Sequence, residues 1–168
     1  MNVKERQERL RRLIQSAGAH LYVASSYPNT YYFTLARDLH GVLLLPVDGT
    51  PRFIVNDRTV SVAEELAQGC QVIGAKSGEP IEQAVLHAVY SIKPSSIFVD
   101  NGYWQTALER VQPMSGVTIG ARPDIPASLR RRKEPPETEL LRKAAEVADR
   151  GMEAAFSALR PGVKEREV

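Results

Sequence analysis

Apolar positions along the chain fall into runs whose spacing changes with position. In residues 2–17, Val3, Leu10, Leu13, Ile14 and Ala17 share one helical face, and Lys4, Arg6, Arg9, Arg11 and Arg12 take the others. This predicts an amphipathic opening helix, stopped at Gly18. A short apolar strand follows at residues 20–24, and the turn-forming residues 25–29 end it. Residues 40–46 and 52–55 are two apolar runs around Asp48-Gly49, the strongest short-range signal for an antiparallel hairpin.

Beyond the hairpin, helix-like and strand-like stretches alternate: residues 59–68, 71–74, 81–92, 96–99, 103–111 and 117–120. Alternation at this spacing predicts an α/β fold, a mixed sheet that is at least partly parallel, with helices on its faces. Near Ile125 the pattern breaks. Pro126, Pro135 and Pro136 bracket a basic run, Arg130 to Lys133, and the stretch reads as a linker. From Glu137 onward Leu141, Ala145, Ala148, Met152, Phe156 and Leu159 recur at steps of three and four, ending at Pro161-Gly162. The expected organisation is therefore a domain over residues 1–124, a linker over 125–136, and a long helix with its tail over 137–168. An apolar stripe on a helix after a linker needs a partner surface, and that surface is expected to lie outside these 168 residues.

Composition narrows the classes. Apolar residues make up 43% and charged residues 25%, the balance of a globular domain. With 22 Lys and Arg against 20 Asp and Glu, the net charge of +2 gives no basic surface for nucleic acid. No apolar run approaches the roughly 18 residues of a membrane span, so no membrane partner is expected. The lone Cys70 has no disulfide partner, and Lys4, Glu5 and Arg6 do not open a secretory signal; a cytoplasmic protein is the expectation.

Few residues carry catalytic chemistry. His20, His40 and His87 fall in three different predicted elements, and no metal site is expected within the chain. Ser25-Ser26 lacks the glycine-flanked setting of a nucleophile elbow and reads as a turn. Cys70 reads as a small buried hydrophobe, and no glycine-rich phosphate loop follows the first strand. Glu134, Glu137 and Glu139 follow the basic run at once, favouring a solvated or salt-bridged helix entry over a phosphate site. One segment stands apart. Tyr27, Tyr31, Tyr32 and Phe33, followed by Arg37, Asp38 and His40, would form either a ligand wall or subunit interface, or an aromatic cover over a sheet edge.

Two stretches resemble a known family. Residues 25–34, followed by the hairpin with Asp48-Gly49, resemble the creatinase-type N-terminal domain of Xaa-Pro aminopeptidases and prolidases. Leu129-Arg130, Lys133 to Glu137, Leu140 to Ala145, Ala148-Asp149 and Arg160 to Glu165 resemble the linker and first helix of that family's "pita-bread" catalytic domain. The chain departs at Leu35, where glycine is usual, and at Thr30, where isoleucine is common.

The resemblance implies the creatinase/prolidase N-terminal fold with its ribonuclease H-like motif, and a first catalytic-domain helix at residues 137–168. It implies a C-terminal catalytic domain of about 200 further residues as the chain's own partner. That domain would carry two divalent metal ions and hydrolyse Xaa-Pro peptides, and none of its ligands lies in this chain. It also implies a homodimer, and an access or interface role for Tyr31, Tyr32, Arg37 and His40. The competing reading is an autonomous α/β binding or dimerisation module without a peptidase partner.

Overall fold

The computed structural model describes residues 2–110 and 116–167. These divide into two compact units, residues 2–131 and a second that begins at Arg132.

The first unit opens with α1 (Val3–Ser16), capped by the Asn2 side chain, which accepts from the Glu5 amide. Its buried side chains Val3, Arg6, Gln7, Leu10 and Ile14 keep helical spacing. Strand β1 (Leu21–Ala24) leads into α2 (Tyr27–Thr34), then β2 (Val42–Pro46) and β3 (Arg52–Val55). A 3-10 turn at Asp57–Thr59 opens α3 (Val60–Leu66), and β4 (Gln71–Gly74), α4 (Ile81–Ile92), β5 (Ser96–Val99) and α5 (Gly102–Glu109) follow. Beyond it lie β6 (Thr118–Ala121) and α6 (Asp124–Arg131). Val111, the expected end of the fifth helix, lies outside the described residues.

The six strands form one mixed sheet in the order β4-β3-β2-β1-β5-β6. The hairpin pairs β2 with β3 antiparallel, with Gly49 in its turn at φ 103°. Both neighbours of β2, β1 and β3, run against it, and the remaining pairings are parallel. Five strands therefore end at the same edge of the sheet, where β2 begins.

Because β1 is buried on both faces, its successive side chains feed two cores. Tyr22 and Ala24 join Leu10, Ile14, Phe33 and Ile125 beneath α1, α2 and α6. Leu21 and Val23 join Val85, Val89, Trp104 and Leu108 beneath α4 and α5. The result is a sheet sandwiched between two helical layers, the α/β mixed sheet expected from the alternating pattern.

Two segments differ from the sequence reading. Residues expected as a turn after β1 form α2, with Pro28 in its first turn, where a missing amide hydrogen costs nothing. The stretch read as linker is helical over Asp124–Arg131, because Ile125 and Pro126 are buried and Leu129 packs against the same core.

The second unit contains α7 (Pro135–Ala158). A capping box joins Glu134 and Glu137, with prolines in the first turn. None of its side chains is buried, and Leu141, Met152, Phe156 and Leu159 are each more than half exposed. No helix among the described residues is long and apolar enough to cross a membrane.

Candidate functional site at the carboxyl edge of the sheet

The edge where β1, β3 and β5 end holds an open cleft of about 490 Å³. Ser25 follows β1, Asn56 follows β3, Asn101 follows β5, and His40 and Gly41 enter β2 there; Glu82 of α4 and Tyr103 and Trp104 of α5 complete the wall. Such an edge, where strand direction or order changes, is where α/β sheets place their ligands. Gly41 is fixed by space, since a Cβ there would sit 2.6 Å from the Ile54 carbonyl and 2.7 Å from the Phe53 ring.

Beside the cleft lies a buried carboxylate. Asp100 Oδ2 accepts from the Ser25 amide (3.0 Å), the Ser26 amide (2.8 Å), Ser26 Oγ (2.8 Å) and Asn29 Nδ2 (3.0 Å). Its Oδ1 accepts from Ser25 Oγ (2.9 Å) and Asn101 Nδ2 (3.0 Å). Asn29, itself buried, also accepts from Arg130 Nη1 of α6 at 2.8 Å. Ser25 and Ser26 therefore serve as donors to Asp100. Nearby on β1, Tyr22 donates its hydroxyl to the Arg122 carbonyl (2.9 Å), and burial raises its phenol well above its ordinary range. On the rim Tyr103 donates to Glu82 Oε1 (2.6 Å), and that bond raises the Tyr103 phenol.

The four residues expected to gate access part company. Tyr31 is half-buried and stacks on Tyr27, ring centroids 6.1 Å apart; Tyr27 stands 6.1 Å from the His40 ring. Tyr27 Oη also accepts from the Asp38 amide (3.2 Å), tying the helix to the loop after it. His40 is exposed on the cleft wall, and Arg37 is exposed beside Asp38 at 3.5 Å. Tyr32 instead points inward. It packs edge-on to Phe33 and under the Arg6 guanidinium, 4.1 Å from the ring centroid, and its hydroxyl donates to the Leu129 carbonyl (3.4 Å). The segment thus has an outer side of Tyr27, Tyr31, Arg37 and His40 and an inner side that is core.

Asp100 and Asn101 were not singled out from the sequence, and Arg130 was read there as part of a basic helix entry. The available signal was an Asp-Asn pair directly after the apolar run of β5, at a strand's carboxyl end. The histidines keep separate company: His20 meets Ser95 Oγ (2.7 Å), His87 meets Glu79 (3.1 Å), and His40 neighbours Tyr27. Among the described residues no three His, Cys, Asp or Glu side chains stand close enough to ligate a metal. What the edge offers is hydrogen-bond donors, aromatic faces and one imidazole, a set that can hold or steer a ligand.

An α/β mixed-sheet domain with this strand order and an aromatic segment at its carboxyl edge defines the class. The Creatinase/Prolidase N-terminal domain profile matches residues 6–94, a little over half of the chain, and the chain belongs to that family. No curated protein sequence matches it. Among solved structures it is similar to an Xaa-Pro dipeptidase from Bacillus anthracis, with TM-score 0.85 and 24% identity over 99% of this chain and 46% of that one. The prolidase from Pyrococcus horikoshii OT3 gives TM-score 0.81 and 20% identity over 97% of this chain and 45% of that one. The N-terminal domain of cytoplasmic peptidase PepQ from Mycobacterium tuberculosis H37Rv gives 0.64 and 15% over 74% of this chain and 98% of that one. The chain thus spans less than half the length of the first two, and at these identities the likeness establishes the fold.

Proposed function

We propose that this chain is the non-catalytic N-terminal portion of a metal-dependent, cytoplasmic Xaa-Pro peptidase, and that it shapes access to the active site and supports assembly into a homodimer. The observation that carries the reading is α7, a 24-residue helix with no buried side chain and an exposed apolar stripe. A helix of that kind derives its stability from the surface that covers it. The cover in this reading is the rest of a catalytic domain of which α7 is the first helix. The likeness to the Bacillus anthracis Xaa-Pro dipeptidase supports it, because it extends over 99% of this chain, α7 included, while leaving more than half of that protein unmatched.

In this reading two divalent metal ions, held by the catalytic portion, would supply activated water for hydrolysis of the peptide bond. This chain's own residues contribute position and shape. Tyr31 and His40, linked through the Tyr27 ring, and the exposed Arg37 form the face that meets the substrate's entrance, and Tyr32 anchors that face from beneath. The test is the double variant Arg37→Ala/His40→Ala in the full-length protein. A change in KM or in dimer content with folding intact is expected; unchanged substrate preference and unchanged assembly would remove the access role.

The autonomous-module alternative is separated by sequence alone. Metal-ligand residues in the reading frame beyond Val168 favour the peptidase, and a stop codon there favours the module.

A further inference from the structure

We infer that Asp100 is a positioning residue for the aromatic access segment, acting through Asn29 and secured by Arg130. The inference rests on the access role proposed for residues 27–40. A carboxylate offers about four lone-pair directions. Asp100 receives six N–H or O–H groups at 2.8–3.0 Å, from the β1–α2 junction, the first turn of α2 and the cap of α5. Such convergence suits a negative charge, and a buried charge persists only where it is so paired.

The direction of each bond gives the coupling its reach. Asn29 donates to Asp100 with its amide nitrogen and accepts from Arg130 with its amide oxygen. Carboxylate, amide and guanidinium therefore form a chain in which each member orients the next, linking the end of β5, the start of α2 and the last turn of α6. The amides of Ser25 and Ser26, at the entry to α2, are held by the same oxygen. Residues 27–34 have weak helical preference of their own, so the registry of this helix, and with it the placement of Tyr27 and Tyr31, follows from the anchor at its entry. Asp100 acts through the chain it holds.

The experiment uses the full-length protein with Asp100→Asn and, as the milder variant, Arg130→Met. Hydrogen exchange is followed at residues 26–34, with α4 (residues 81–92) as the internal reference. Exchange of residues 26–34 should accelerate roughly tenfold or more in Asp100→Asn and less in Arg130→Met, with α4 unchanged. KM for an Xaa-Pro peptide should rise while kcat holds. Unchanged exchange in residues 26–34, or acceleration shared equally by α4, overturns the positioning role, and Arg130→Met decides if Asp100→Asn fails to fold. Accelerated exchange with unchanged KM keeps the positioning role and sinks the access role on which it rests.

Discussion

Leu35 closes α2 in the left-handed region, at φ 58°, a conformation that crowds any side chain with a Cβ. It is also the position where the family resemblance put glycine, so the backbone keeps the turn although the residue has changed. Leu35→Gly is expected to leave stability within about 1 kcal/mol, relief of strain offsetting lost contact and a freer unfolded chain. Leu35→Ile, β-branched in the same conformation, should cost about 1–2 kcal/mol; urea denaturation of the pair measures the contrast. Thr30, the other departure, is buried with its hydroxyl bonded to the Tyr27 carbonyl at 3.1 Å, so the polar atom is satisfied inside the helix. Cys70 is half-buried against the α1 core, and burial pushes its thiol up from 9.0 to about 11. A folded value above the unfolded one means stability is complete below pH 9 and declines as the pH rises toward 11. Alkylation by iodoacetamide at pH 8 should therefore run roughly a hundredfold slower in the folded protein than in urea. Equal rates would show an accessible, ordinary thiol.

At the scale of elements, the hairpin, the opening helix and the helix-strand alternation were legible because each is written in local spacing. Two helices were not. In α2 the local signals of Tyr, Pro, Asn and Thr favour turn or strand, and the helix exists because Asp100, 71 residues beyond Asn29 and 74 beyond Ser26, collects the donors at its entry. In α6 Pro126 and the start of the basic run disguised a two-turn helix whose evidence is burial of Ile125 and Pro126. The same distance in sequence hid the site. Tyr31, Arg37 and His40 could be named from composition of one segment, whereas no local pattern ties Asp100 to Asn29 or Asn29 to Arg130, and none says that Tyr32 faces inward. Ile125 distinguishes helix from linker directly. Ile125→Ala should cost about 2–4 kcal/mol in thermal or urea unfolding, as for a core position, and a neutral substitution would mean the segment carries no packing.

At the scale of the whole molecule, the first unit has two cores and a multiply hydrogen-bonded carboxylate at the carboxyl edge of its sheet, while α7 of the second unit exposes its stripe. Contiguous exposed apolar surface seeks cover. The isolated 168-residue chain should therefore self-associate, its mass in sedimentation rising with concentration, and Met152→Glu with Phe156→Glu should return it to a monomer. A chain that stays monomeric at high concentration would leave the stripe without the role assigned to it. The central claim, that this chain shapes and assembles but does not hydrolyse, is tested most directly by assaying the purified chain on an Xaa-Pro dipeptide with added divalent metal. No turnover is expected, with activity appearing only when the full-length protein is used; turnover by the purified chain unaided would contradict the account.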